Sequence, residues 1–118
     1  MVNGGEAKAL FHWPILIKYA DYEELGYVDS PANWEAEVGV DGAYLNINDI
    51  LIDSSGVAFS VMAQGEQNQL SRVPNAISID QVLDWVRAHA SMQGHCCVAK
   101  LSASSIAEVF TIIKSLDD

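Results

Sequence analysis

The sequence lacks long apolar runs and has few cysteines, and each shortage excludes a class of protein. No apolar stretch approaches the roughly 20 residues that a membrane-spanning helix needs, because Lys, Pro or Asp interrupts the longest ones. The N-terminus also lacks the basic start and the small-residue cleavage site of a secretion signal. The two cysteines, Cys96 and Cys97, are adjacent and therefore provide no disulfide framework. These absences predict a reduced, cytoplasmic protein.

Basic residues are scarce as well. Six Lys and Arg stand against sixteen Asp and Glu, which gives a net charge of -10. Nucleic-acid binding needs cations along the phosphates and an anionic membrane attracts basic segments, so we expect neither nucleic acid nor membrane as a partner. The charge is compatible with a basic protein partner, and also with an acidic surface that only keeps the domain in solution. We predict an unidentified protein partner and a chain that is a monomer or a weak dimer.

The remaining composition is that of one globular domain. The chain has 118 residues, of which 50% are hydrophobic and 19% are charged. A domain of this size builds a sufficient core without a disulfide or a metal ion. Residues 1–10 are small, polar and unpatterned, and they predict a disordered N-terminal tail. Residues 11–118 are predicted to form a single α+β domain.

In the first part of this domain, apolar residues alternate with the period of two that indicates β-strands. Ile15, Ile17 and Tyr19 share one face of the first strand. The strands predicted in this way are 15–19 and 25–29 as one hairpin, 50–53 and 57–62 as a second hairpin, and a short strand over 70–73. Residues 63–69 are predicted to be a polar loop, and residues 43–47 either a short strand or an irregular connection.

Helix signals occur once early in the chain and twice in its last third. Ser30-Pro31 predicts the start of a short helix over 33–38. Later, apolar stripes at helical spacing predict helices over 79–90 and 106–116, joined by a short strand over 96–101. The residues that mark the ends of these two helices are Ser78 with Gln81 and Ser105 with Glu108, both capping boxes, and Gly94, a stop.

The order of the elements is therefore ββα, then ββ(β), then αβα. Hairpins exclude an all-parallel sheet. The fold class that accommodates this order is α+β, with a mainly antiparallel sheet covered on one face by two longer helices and one short helix.

The reactive side chains cluster around the turn at Gly94. Thiolates and imidazoles suit zinc or copper, so His89, His95 and Cys97 are candidate metal ligands. The spacing opposes a metal site, because neighbouring strand residues point to opposite faces and Cys96 and Cys97 would not both reach one ion. We therefore assign no metal, cofactor or catalytic residue, and we interpret the cysteines as small core hydrophobes.

A cysteine nucleophile is the second interpretation of the same segment. His89 or His95 would act as its base, but no recognised motif surrounds Cys96 or Cys97. The acids of the middle of the chain, Asp41, Asp49 and Asp53, do not follow the calcium-binding EF-hand pattern. They stand in predicted turns, where Asp side chains accept hydrogen bonds from nearby backbone N–H groups.

The first hairpin carries a different kind of candidate. At its tip, Tyr22 stands among Asp21, Glu23 and Glu24. An exposed aromatic residue among acids is suited to contact a basic protein, so Tyr22, Glu23 and Glu24 form a candidate protein-contact site. The alternative is an ordinary solvated hairpin tip.

Three segments carry a family resemblance. They are His12-Trp13-Pro14-Ile15, Leu51-Ile52-Asp53-Ser54 with Gly56, and Gly94-His95-Cys96-Cys97-Val98-Ala99-Lys100-Leu101 running into Ser105-Ile106-Ala107-Glu108. Over residues 12–116 the chain resembles a family of small uncharacterised gamma-proteobacterial proteins, classed only as a domain of unknown function. The resemblance implies a bacterial cytosolic protein and no particular activity.

The sequence thus favours a non-enzymatic binding or accessory module that acts through protein contacts, while enzymatic activity stays open. The alternative is a thiol- or metal-dependent activity centred on His95, Cys96 and Cys97. A third interpretation, mimicry of nucleic acid, would need the acids in rows on one face, whereas the sequence scatters them across turns.

Overall fold

The computed structural model describes residues 2–3, 6, 9–64, 67–74, 77–95 and 98–117. Within these ranges, a six-stranded antiparallel sheet forms the framework of the molecule. Its strands are β1 (Val2–Asn3), β2 (Ile15–Lys18), β3 (Leu25–Val28), β4 (Ile50–Asp53), β5 (Ala58–Gln64) and β6 (Gln67–Arg72). They lie in the order β1-β6-β5-β4-β2-β3, so the pairing of β2 with β4 joins the hairpins into one sheet.

The α-helices whose bounds the structure describes are α1 (Trp34–Val38), α2 (Ile79–Met92) and α3 (Ile106–Asp117). Short 3-10 helices lie at Pro31–Asn33 and Val40–Gly42, on either side of α1, and at Val98–Lys100 between α2 and α3. In the described part of the chain, no helix combines the length and the apolar character that crossing a membrane requires.

Strand β2 supplies apolar side chains to both faces of the sheet, because successive strand residues point to opposite sides. One core lies under α1 and consists of Phe11, Ile15, Ile17, Val28, Trp34, Val38, Leu45, Leu51, Phe59, Val61 and Leu70. The other lies under α2 and α3 and consists of Leu16, Leu25, Ile52, Val82, Val86, Val109, Phe110 and Ile113. The sheet is therefore the middle layer of three.

The α+β class, the mainly antiparallel sheet and the three predicted helices are confirmed. One detail differs from the expectation that all the helices cover one face. Helix α1 packs on the face opposite α2 and α3, through Trp34 and Val38. The reason lies in β2, where Leu16 is as deeply buried as Ile15 and Ile17, so that both faces of the strand need a cover.

The ends of the long helices follow the predicted capping residues. The Oγ atom of Ser78 accepts a hydrogen bond from the Gln81 N–H at 3.1 Å, and α2 is followed by Gly94 at a φ of 80°. At α3, the Ser105 Oγ accepts the Glu108 N–H at 3.2 Å. The Glu108 carboxylate binds the N–H of Ser104 at 2.7 Å, one residue earlier than a regular capping box would use.

The strand predicted over 96–101 is wrong in its described part. Val98–Lys100 forms a 3-10 helix, while Cys96 and Cys97 lie outside the described residues. The carbonyl oxygen of Leu101 accepts a hydrogen bond from Arg87 Nη2 at 2.7 Å. This connection is thus held by a helix side chain and not by a neighbouring strand, which a local apolar pattern cannot reveal.

The polar loop predicted over 63–69 is also wrong in its described part, while residues 65–66 lie outside the described residues. Met62 pairs with Gln69, Ala63 with Asn68 and Gln64 with Gln67, so β5 and β6 form a long hairpin. Backbone pairing does not require apolar side chains. The alternation of apolar residues therefore does not reveal the polar end of this hairpin. Of the two possibilities for residues 43–47, the irregular connection is the one observed.

The predicted N-terminal tail lies mostly outside the described residues. Within it, Val2 pairs with Leu70 and Asn3 with Gln69.

Candidate functional site

His89, a predicted metal ligand or base, lies inside the fold. It is 2% exposed on α2, and its Nδ1 accepts a hydrogen bond from the backbone N–H of Leu25 at 2.9 Å. Nδ1 must therefore lack a proton, which makes His89 a neutral imidazole in this arrangement. This hydrogen bond connects α2 to β3, an edge strand of the sheet, so the role of His89 is structural.

The other residues of the predicted reactive cluster are not brought to His89 by any described contact. His95 is exposed just after Gly94, and its backbone N–H donates to the Ala90 carbonyl at 3.0 Å. Cys96 and Cys97 lie outside the described residues. Among the residues that are described, no group of three or more His, Cys, Asp or Glu side chains could hold a metal ion. The metal and thiol hypotheses, which need the cysteines, stay predictions.

Two acids of the middle of the chain have the turn role that the sequence indicates. Asp49 and Asp53 are each 1% exposed. Asp49 accepts the N–H groups of Ala20 and Asn46, both at 2.8 Å. Asp53 accepts backbone N–H groups from His12, Ser55 and Val57, and also the Ser55 hydroxyl. Their carboxylates thus organise loops, while the side chain of Asp41 is outside those described.

The predicted contact residue Tyr22 borders a cleft of about 430 Å³. We name it the tyrosine cleft, and its lining residues are Tyr19, Tyr22, Glu24, Leu25, Glu37, Tyr44 and Asn46. Three elements supply them: the β2–β3 hairpin, helix α1 and the loop that leads to β4. Glu24 therefore belongs to the cleft, whereas Glu23 is exposed at the tip and does not line it.

Two glycines make room for the walls of the cleft. A Cβ atom at Gly26 would lie 2.6 Å from Glu37 Oε1 and 2.8 Å from the Tyr19 hydroxyl oxygen. Gly39 ends α1 at a φ of 83°, and a Cβ there would lie 3.0 Å from the Tyr44 ring. Both positions therefore favour a residue without a side chain, and Gly39 also needs the backbone freedom of glycine.

Tyr19 and Glu37 form the floor pair of the cleft. The Tyr19 hydroxyl donates a hydrogen bond of 2.5 Å to Glu37 Oε1. Burial raises the pKa of Tyr19 far above its ordinary value of 10.0, and the hydrogen bond to Glu37 with the charges of Glu37 and Asp49 raises it further. Tyr19 thus stays a neutral donor near neutral pH, and it orients a carboxylate toward the cleft.

The one cation of the hairpin is already engaged. The Lys18 ammonium donates to the backbone carbonyls of Tyr19 at 2.8 Å and Tyr22 at 2.5 Å, which fixes the hairpin tip. No Lys or Arg stands in the sequence between Lys18 and Arg72. Apart from Lys18 at the hairpin tip, the chain that builds the cleft therefore carries acidic residues and no basic ones.

Exposed apolar side chains occur in the cleft and elsewhere on the segment between α1 and β4 that carries Tyr44. Tyr22 is 66% exposed and Tyr44 is 69% exposed. On the loop that carries Tyr44, Val40 and Ile47 are 67% and 53% exposed. The two exposed tyrosine rings share the lining of one cleft, and exposed apolar groups that lie together mark an interaction site more often than scattered ones do.

Sequence reasoning found part of this site and missed the rest. An aromatic residue among acids predicts Tyr22 and Glu24 as contact residues. The alternation places Tyr19 only on the buried face of a strand, and Glu37 and Tyr44 carry no signal of their own. Their common feature, the long run without a basic residue, was available in the sequence as a pointer to the region.

Comparison with known proteins identifies a family and a fold. The model of the family DUF4144, described as a protein structure with unknown function, matches residues 13–113. A protein from Shewanella amazonensis, solved by NMR, has a similar structure with a TM-score of 0.65 and 22% sequence identity over 92% of this chain and 91% of that one. No curated protein matches the chain in sequence. These results confirm the resemblance to an uncharacterised gamma-proteobacterial family.

Proposed function

Since the chain belongs to the DUF4144 family of unknown function, we propose from its geometry that it is a non-enzymatic module that binds a basic segment of a protein partner. The observation that carries this proposal is the tyrosine cleft, in which Tyr19, Tyr22 and Tyr44 meet the carboxylates of Glu24 and Glu37.

The side chains of the cleft suit a cation. Lys and Arg head groups are attracted to the face of an aromatic ring and to carboxylates. The floor carboxylate of Glu37 receives the Tyr19 hydroxyl at one oxygen. A carboxylate has about four acceptor positions in total, so Glu37 retains acceptor positions for a ligand.

The surroundings of the cleft suit a peptide better than a free ion. Tyr22 and Tyr44 are exposed rings that line the cleft, and Val40 and Ile47 are exposed on the same segment between α1 and β4 as Tyr44. The stems of Lys and Arg are apolar and pack against such groups while the charged end reaches the carboxylates. A basic segment would therefore satisfy both the apolar rim and the acidic floor.

A binding experiment with matched variants tests this proposal. The probe is a fluorescein-labelled peptide of alternating Arg and Gly, and the reference probe is alternating Glu and Gly. We expect the basic peptide to bind the full chain with fluorescence anisotropy that rises on saturation, and the acidic peptide to show no binding.

Helix α1 offers the decisive control. Glu37→Gln removes a charge that lines the cleft, while Glu35→Gln removes an equal charge from an exposed position on the same helix that does not line it. Glu37→Gln should lower the affinity for the basic peptide at least about tenfold, which corresponds to about 1.4 kcal/mol. Glu35→Gln should lower this affinity much less. Equal losses would mean that net charge alone attracts the peptide, and the proposal would be wrong.

A further inference from the structure

A second cavity shares no lining residue with the tyrosine cleft, and its lining includes the basic side chains of His12 and Arg72. It measures about 310 Å³, and its lining residues are Leu10, His12, Asp53, Val57, Phe59, Leu70 and Arg72. We propose that this cavity binds a small carboxylate with an apolar body, its head group held by Arg72 and His12.

The floor of the cavity is apolar because the sheet places core side chains there. Phe59 of β5 is paired with Arg72 of β6, and Leu70 stands two residues before Arg72 on the same face. Phe59 and Leu70 are 7% and 2% exposed. An apolar ligand body inserted here would rest on side chains that already belong to the core under α1.

The mouth of the cavity holds unused donors. The other arginine, Arg87, is engaged with Asp84 and the Leu101 carbonyl. The guanidinium group of Arg72, in contrast, has no hydrogen-bond or ion-pair partner among the residues that the structure describes. Its guanidinium group offers the planar pair of N–H donors that matches a carboxylate.

His12 stands at the same mouth and is exposed. Its imidazole carries at least one N–H donor in every protonation state near neutral pH. Its backbone N–H is already committed to Asp53 Oδ2 at 3.1 Å. This hydrogen bond fixes the backbone of His12 at the cavity. The imidazole ring has no hydrogen-bond partner among the described residues and can donate to a ligand.

Asp53 lines the cavity without competing for its donors. Its carboxylate is held by the N–H groups of His12, Ser55 and Val57 and by the Ser55 hydroxyl. These four donors come from the protein itself, so the charge of Asp53 is compensated within the turn. The donors left at the mouth are those of His12 and Arg72.

The size of the cavity favours a small ligand. Small-molecule sites range from about 300 to 1,000 Å³, and this cavity is at the lower end. An apolar floor with a cationic mouth orients a medium-chain carboxylate with its chain inward. The protein has a net charge of -10, so its overall electrostatic field repels anions. Binding of an anion at this cavity would therefore depend on the local donors.

An NMR titration of the full chain with octanoate tests the proposal. Octanoate should shift the backbone resonances of His12, Phe59 and Leu70 at saturation. Acetate, which lacks the apolar body, and octylammonium, which reverses the charge, should leave these resonances unchanged at the same concentrations. Equal shifts with octylammonium would overturn the proposal, as would the absence of shifts with octanoate.

Two variants and one matched control complete the test. Arg72→Gln and His12→Ala each remove one donor from the mouth, and we expect losses of octanoate affinity of at least about tenfold and several-fold, respectively. Lys100→Gln removes the same charge from an exposed position elsewhere and should leave the affinity unchanged. If neither mouth variant weakens binding, or if Lys100→Gln weakens it as much, the assignment of the head-group site is wrong.

Discussion

The contact between α2 and β3 and the tyrosine cleft both involve the β2–β3 hairpin, yet they use polar side chains in opposite ways. At the first, His89 is buried and its Nδ1 is occupied by the Leu25 N–H. At the second, Tyr22 and Tyr44 remain exposed beside the carboxylates of Glu24 and Glu37, which form no ion pair among the residues that the structure describes. Our proposal therefore rests on an exposed combination of groups at the cleft, and not on the presence of a chemically reactive residue type such as His89.

Replacement of His89 is expected to have the largest effect on stability. His89→Ala removes a buried side chain and leaves the Leu25 N–H without its acceptor, which should lower the free energy of unfolding by about 2–4 kcal/mol. His89→Asn retains an acceptor at a similar distance and should lose less. Urea denaturation of both variants measures the difference, and a loss below about 1 kcal/mol in His89→Ala would contradict the architectural role.

Arg87 should contribute less to stability than His89 does, because its side chain is 34% exposed to solvent. Arg87→Ala removes the hydrogen bond to the Leu101 carbonyl, and we expect a loss of about 1–2 kcal/mol in the free energy of unfolding. Asp84→Asn breaks only the exposed ion pair with Arg87 and should cost less than about 1 kcal/mol. Equal losses in the two variants would show that the ion pair, and not the link to Leu101, is the important contact.

The floor pair of the tyrosine cleft predicts a pH dependence. The folded state raises the pKa of Tyr19 above its ordinary value of 10.0, so the native chain binds this proton more tightly than the unfolded chain does. The resulting stability is fully present below about pH 10 and is lost as the pH rises above it.

Tyr19→Phe isolates this contribution from other groups that titrate in alkali. At neutral pH the variant should be less stable than the natural chain by about 1 kcal/mol, for the lost hydrogen bond to Glu37. Above pH 10 the difference should shrink, because only the natural chain has the Tyr19 hydroxyl to deprotonate. Urea midpoints measured at several pH values check this, and a constant difference across the range would contradict it.

Tyr44→Ala should have the smallest effect on stability. Its ring is 69% exposed, and exposed substitutions usually change the free energy of unfolding by less than about 0.5 kcal/mol. The same change should weaken the basic peptide at least about tenfold if the ring stacks on a cationic side chain. Fluorescence anisotropy and urea denaturation on one preparation test both expectations. Unchanged peptide affinity in Tyr44→Ala would show that this ring does not take part in binding.

The part of the fold that depends on local chemistry could be predicted from the sequence. The hairpins follow from alternation around residues such as Ile15 and Ile17, and the start of α2 follows from Ser78 and Gln81. The structure of 98–101 could not be predicted in this way. It depends on Arg87, which lies on the preceding helix and whose reach to the Leu101 carbonyl is a tertiary contact.

The candidate site divides in the same manner. Tyr22 and Glu24 are neighbours in the sequence, so the hairpin tip could be identified at once. Glu37 and Tyr44 join them only because α1 packs beside the hairpin, where Gly26 leaves space for the bond between Tyr19 and Glu37. That packing is a property of the assembled layers, and no local pattern encodes it.

The central claim is that the tyrosine cleft recognises a basic segment, and an NMR titration of the full chain with the Arg-Gly peptide tests it most directly. The account predicts shifts that are largest at Tyr19, Tyr22, Glu37 and Tyr44 and weak at acids elsewhere, such as Asp80 and Glu108. Shifts of equal size at all exposed acids, or none at the cleft, would contradict it.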